Sequence, residues 1–191
     1  MVESVRVLLI SGSLRAHSTN SAVLRTAAVL APAVSVVADC YEGLASLPAF
    51  DPDADVEPRP APVRELLRRI HLADAVVFCT PEYAGALPGS FKNLLDWLIG
   101  DDDARSIYNK PVAWINASPR GAVLAHDSLR AVLGYAHAAI VDAACAQVAV
   151  TQSAVNDDGL ITDPAVRGAI KRAIQRLATY VAVGHAGGGE T

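Results

Sequence analysis

The chain has 191 residues, 52% of them hydrophobic and 19% charged, which supplies one apolar core and leaves too little length for two well-built domains. Its 16 lysines and arginines stand against 20 aspartates and glutamates, and the resulting net charge of −4 has the wrong sign for a sequence-independent grip on nucleic acid. Cys40, Cys79 and Cys145 form no CxxC pair, no apolar run reaches the ~18 residues of a membrane span, and no signal-like segment opens the chain, so the reading is a soluble cytoplasmic protein without a disulfide framework, bound metal or membrane partner.

Val5 to Ile10 (VRVLLI) reads as a buried strand that runs into the turn Ser11-Gly12-Ser13. A helix follows, capped by Ser18 or Thr19, with Val23, Leu24, Ala27, Ala28 and Leu30 at helical spacing until Pro32. Val34 to Ala38 predicts a second strand. The stretch from Glu42 to Pro62 has no period and reads as a long loop, whose Asp51, Asp53, Asp55 and Glu57 are either functional or merely solvated. Pro62 to Leu72 predicts a helix, Ala75 to Cys79 a buried strand, and the segment after Pro88 a helix carrying Phe91, Leu94, Leu95, Leu98 and Ile99 on its core face. Val112 to Asn116 reads as a fourth strand, His126 to Ala138 as a helix, and Ala139 to Val150 as a weaker fifth-strand region. Pro164 to about Val183 forms a terminal amphipathic helix. Residues 1–184 are thus read as one domain and 185–191 as a flexible, glycine-rich tail.

Strands alternating with helices predict a doubly wound α/β sandwich, a five-stranded parallel sheet with helices on both faces. Ligands of such sheets lie outside the carboxyl ends of the strands, which directs attention to the loops after strands one, three and four. The first of these, Gly12 to Asn20, gathers Ser13, Arg15, Ser18, Thr19 and Asn20 at a helix N-terminus. Free main-chain N–H groups, hydroxyls and one guanidinium suit a phosphate monoester. The loop has neither the Gly-Lys-Ser/Thr of a Walker A loop nor GxGxxG spacing, so a terminal phosphate fits better than a bridging one.

The second loop reads Thr80-Pro81-Glu82-Tyr83-Ala84-Gly85-Ala86-Leu87-Pro88-Gly89 and leads into Ser90-Phe91-Lys92-Asn93-Leu94-Leu95-Asp96. GSLRxxSxN together with PEYxxxxPGSFKNLLD closely resembles the NADPH-dependent FMN reductase family of flavodoxin-like proteins, which includes quinone, azo-dye and chromate reductases. The resemblance implies FMN with Ser13, Arg15, Ser18, Thr19 and Asn20 around its phosphate and Pro81, Glu82, Tyr83 and Ala84 beside its ring. It implies NADPH or NADH as electron donor, a small-molecule acceptor, and a homodimer or homotetramer to which the helix of Lys92, Asp96 and Trp97 contributes an interface. The third loop, Ala117 to Ala122, departs from the family's glycine-rich pattern, keeping Gly121 alone; Ser118 and Gly121 are carried over, and Arg120 reads as a surface charge in preference to a donor-phosphate contact.

The implied chemistry is hydride transfer from nicotinamide to flavin and then onward by a ping-pong cycle, so no protein residue is assigned a catalytic role. Glu82 reads as a solvated or interface carboxylate in preference to a general acid, and the five histidines as structural or exposed. A flavodoxin-like electron carrier with a protein partner is the alternative. A serine hydrolase is disfavoured because neither Ser13 nor Ser118 lies in GxSxG.

Overall fold

A computed structural model describes residues 4–99 and 106–187, with side chains described as far as residue 184. Its elements are β1 (Val5–Ser11), α1 (Thr19–Leu30), β2 (Val36–Tyr41), α2 (Ala61–Leu72), β3 (Ala75–Cys79), α3 (Gly89–Asp96), β4 (Pro111–Asn116), α4 (Val123–Tyr135), β5 (Ala139–Ile140), β6 (Ala146–Gln147) and α5 (Pro164–Gly187). The strands run parallel in the order β2-β1-β3-β4-β5, with β6 also paired to β4. This is the flavodoxin-like doubly wound sheet.

Alternation along each strand divides the core. Val7 and Leu9 of β1 and Val77 of β3 face α1 and α5, whereas Leu8, Ile10, Val76 and Phe78 face α2, α3 and α4. All five residues of β3 are buried, as an unbroken AVVFC run in the middle of a parallel sheet requires.

Several boundaries differ from the sequence reading, each for a local reason. β2 begins at Val36 because Ala31–Val34 continue α1 as a 3-10 turn and Ser35 takes a left-handed conformation (φ 57°). α3 ends at Asp96; beyond it the bonding tightens to i→i−3, with Leu98 N–H on Leu95 O at 3.0 Å and Ile99 N–H on Asp96 O at 3.3 Å. Leu98 is nonetheless buried, as its spacing predicts. α4 starts three residues before His126 and ends at Tyr135, ahead of His137 at φ 51°. α5 extends to Gly187, past the predicted end near Val183 and into the stretch read as a tail, whose last residues, 188–191, lie outside the described range.

The fifth-strand region is broken. Between the paired residues, Ala113 and Trp114 of β4 run past Val141 to Cys145 on the neighbouring segment, and the surplus is taken up by a 3-10 turn at Asp142–Ala144. The long loop after β2 is tied down rather than loose. Asn93 accepts from Phe50 N–H (2.7 Å) and donates to Pro48 O (2.8 Å), and Trp97 Nε1 donates to the same carbonyl (3.0 Å). Trp97 is therefore buried against Phe50 and unavailable to the interface expected of it, while Lys92 and Asp96 pair with each other at 2.5 Å. Asp55 and Glu57 are engaged by Arg59, and Asp51 caps the turn at Pro52–Ala54. Among the described residues no helix is long and apolar enough to cross a membrane.

Candidate functional site

The three loops leave the carboxyl ends of β1, β3 and β4, on one edge of the sheet. The first loop is set by close packing at its start. Gly12 donates to Cys79 O at 2.9 Å, and a Cβ at this position would lie 2.3 Å from Thr80 Oγ1 and 2.9 Å from Phe91 Cγ. Only glycine lets β1 turn this near to β3. Ser18 is the N-cap of α1 and accepts from Asn20 N–H at 3.2 Å.

Asn20 is buried, and its carboxamide is engaged inside the protein. Nδ2 donates to Ser18 Oγ (3.4 Å) and Oδ1 accepts from Cys79 Sγ (3.3 Å). Burial holds the Cys79 thiol far above its usual range, so it is a neutral hydrogen-bond donor. Ser13 Oγ accepts from Arg15 N–H at 3.3 Å and lines a 250 Å³ cavity toward Ser21, Arg25 and Cys40. Thr19 is half-buried and Arg15 exposed. Among the described residues nothing in the protein accepts from the main-chain N–H groups of Leu14, Ala16 and His17.

Arg15 and Tyr83 come together. They share a 340 Å³ cavity with Gly12, Leu14 and the start of α3 at Pro88 to Ser90. Tyr83 opens a two-residue hairpin in which it and Ala86 exchange main-chain bonds at 3.0 Å, with Ala84 (φ 49°) and Gly85 (φ 73°) both left-handed. Glycine suits the second position; Ala84 occupies a backbone region that L-residues usually avoid. Pro81 and Glu82 are half-buried, while Tyr83 and Ala84 face solvent.

The third loop is braced from within by Asn116, the last residue of β4, which the sequence reading passed over. Its Oδ1 accepts from Ser118 N–H at 2.9 Å and its Nδ2 donates to Gly121 O. Asn at a strand end before a turn is the signal that would have found it. Gly121 (φ 91°) and Ala122 (φ 45°) then swing the chain into α4. Ser118 and Gly121 are thus held with respect to each other, and the helix that follows them is tied to the second loop by Glu82, whose Oε2 accepts from Ala125 N–H at 3.1 Å. Arg120 is exposed.

Among the described residues, His126 is the buried side chain with a polar atom lacking a hydrogen-bond partner. Nδ1 lies 2.8 Å from Ala122 O, so that nitrogen carries the proton, and Nε2 is buried with no hydrogen-bond partner. Burial lowers its pKa, outweighing the opposite pull of Ala122 O, Glu82 and Asp127. The imidazole is accordingly neutral at pH 7.

A family model described as NADPH-dependent FMN reductase matches residues 5–153. A quinone reductase of Escherichia coli is 39% identical over 124 residues, 64% of this chain and 64% of its own, so the match spans less than two thirds of that relative. An NAD(P)H-dependent FMN reductase of Pseudomonas aeruginosa is 30% identical over 185 residues, 95% of this chain and 97% of its own. Among solved structures, the flavoenzyme NAD(P)H:(acceptor) oxidoreductase FerB of Paracoccus denitrificans superposes with a TM-score of 0.79 at 28% identity, covering 92% of this chain and 96% of its own. An archaeal flavodoxin, 10% identical with a TM-score of 0.60, shares the fold. With both loop motifs on the same sheet edge and the family model spanning most of the chain, this protein belongs to the NADPH-dependent FMN reductase family.

Proposed function

We propose that this chain binds FMN across the carboxyl edge of its sheet and uses it to carry electrons from NADPH or NADH to a small acceptor, of which a quinone is the first to test. The observation that carries this reading is the first loop: main-chain donors at Leu14, Ala16 and His17 with no protein acceptor, beside the exposed guanidinium of Arg15. A phosphate monoester matches that donor set in charge and in hydrogen-bonding capacity.

In this reading Arg15 and the loop N–H groups hold the phosphate, together with the hydroxyls of Ser13, Ser18 and Thr19. Asn20, with its carboxamide turned inward, acts by fixing Ser18 and the loop. Tyr83 and the main chain of Pro81 to Ala84 form one side of a slot for the ring, and Ser118 and Gly121 the other. The chemistry supplied by bound FMN is reversible two-electron uptake, taking hydride from a nicotinamide and returning electrons to a second substrate. The chain's own task is placement, since donor and acceptor rings react only when held about 3–3.5 Å apart. An exposed Tyr83 leaves one face of the slot open, which suits planar substrates that bind in turn and leave in turn.

Anaerobic titration of the FMN-loaded protein with NADPH and NADH, followed by a panel of quinones, free flavin, azo compounds and metal oxyanions, tests the proposal. Bleaching by a nicotinamide and recovery on adding an acceptor is the expected result. Bound FMN that no nicotinamide reduces assigns the chain to electron carriage, and protein that retains no FMN overturns the reading.

A further inference from the structure

We infer that Glu82 is a positioning residue, a strap that sets the width of the ring slot by tying the second loop to the start of α4; this rests on the FMN reading above. The first N–H groups of a helix have no partner within it, and that of the second or third helical residue is normally served by the N-cap side chain. α4 has no such cap: its N-cap is Ala122, in a left-handed conformation and with no side chain able to accept. The Ala125 N–H is served instead by Glu82, from a loop 43 residues earlier, at 3.1 Å. A carboxylate at this end of a helix is also favoured by the helix dipole.

The strap joins two parts that are each closed on themselves by hydrogen bonds. The hairpin of Tyr83 to Ala86 closes on itself through paired main-chain bonds, and Asn116 closes the third loop on itself. Between them, besides Glu82, the structure places the Gly85 backbone against Leu124, where a Cβ at Gly85 would stand 3.3 Å from Leu124 Cδ1. Leu124 is itself exposed, so that contact is a shallow one. Behind the strap, His126 spends its single proton on Ala122 O. It therefore has none to offer the carboxylate, whose acceptor capacity stays directed at the helix. Side-chain reach matters, because the bond crosses from one loop to another.

Glu82→Asp keeps the charge but shortens the reach, and Glu82→Gln keeps the reach and one acceptor oxygen. Affinities for FMN and riboflavin, read from quenching of flavin fluorescence, and the exchange rate of the Ala125 amide in the flavin-free protein provide independent readouts. Glu82→Asp is expected to weaken FMN and riboflavin alike, by about tenfold, a factor equal to ~1.4 kcal/mol. It should also speed Ala125 exchange. Glu82→Gln should stay within about threefold of the parent on every measure. Equal loss from FMN and riboflavin separates a slot effect from a phosphate effect. The inference is overturned if Glu82→Asp binds both flavins like the parent, if only FMN weakens, or if Glu82→Gln is as impaired as Glu82→Asp. Parent protein that binds neither flavin sinks the FMN reading itself, and unchanged Ala125 exchange in Glu82→Asp then removes the strap as well.

Discussion

The two halves of the site are held in different ways. The first loop is fixed by close packing against the end of β3 and by its own cap: Gly12 pressed on Thr80, Ser18 capping its own helix, Asn20 bonded to Ser18 and to Cys79 beneath it. The second and third loops are each closed by bonds of their own, the Tyr83–Ala86 hairpin and Asn116 around its turn, and the side chain that links the two regions is Glu82, which reaches to α4. The half that would hold a phosphate is thus built to keep its donors waiting in place. The half that would hold a ring has a spacing that one side chain sets. Four substitutions or conditions test this contrast.

Gly12→Ala should have the largest effect, since a methyl group 2.3 Å from Thr80 Oγ1 and 2.9 Å from Phe91 Cγ in a buried turn must displace those side chains or the turn itself. A loss of about 3 kcal/mol is expected, as for overpacking at other tight sites, seen as a lower denaturant midpoint in flavin-free protein. An unshifted midpoint breaks the picture of a close-packed first loop. Arg15→Ala is next: the side chain is exposed and makes no core contact, so the fold should hold while FMN affinity falls. A charge-assisted contact worth about 2 kcal/mol corresponds to roughly thirtyfold. Riboflavin, lacking the phosphate, should bind as before; parallel loss of both ligands would merge the two halves that the comparison separates.

Ser18→Ala removes the cap of α1 and should cost about 1 kcal/mol of stability, measured by thermal unfolding, with Ser18→Asp restoring most of it. A silent Ser18→Ala would show that Asn20 and Cys79 hold the loop without it. The smallest effect is expected from acid. Burial depresses the pKa of His126 in the folded chain, so below the unfolded value of about 6.5 the unfolded chain takes up the proton first. The contribution of this group is complete above that pH and drains away as pH falls toward the folded value. Parent protein should therefore lose stability more steeply below pH 6.5 than His126→Gln does, and equal slopes would remove His126 from the braced side of the site.

Much of the fold was legible because its signals are local. β3 declares itself as five consecutive apolar residues, and the stripe of Phe91, Leu94, Leu95 and Leu98 marks one buried face even though the regular helix stops at Asp96. The first loop was legible for the same reason: glycine, cap and guanidinium lie within a few residues of one another. Much of what escaped depends on partners distant in sequence. Nothing around Glu82 says that a helix 43 residues later lacks a cap. Nothing around Trp97 says that Pro48 and Phe50 cover it. The start of β2 was missed because Ser35, a residue with no strong left-handed preference, takes that conformation to end the preceding turn.

The interrupted outer strand has a consequence of its own. A sheet rim that offers an unbroken row of main-chain donors and acceptors invites a neighbouring molecule to add its own strand, the first step toward fibrous assembly. Here the rim beside β4 is cut into two pieces of two residues each, and the intervening turn carries Asp142, which pairs with Arg130 at 2.6 Å. The turn breaks the row, so the rim offers a neighbour no continuous ladder across it. The break in the fifth strand thus works against strand-by-strand pairing at that border.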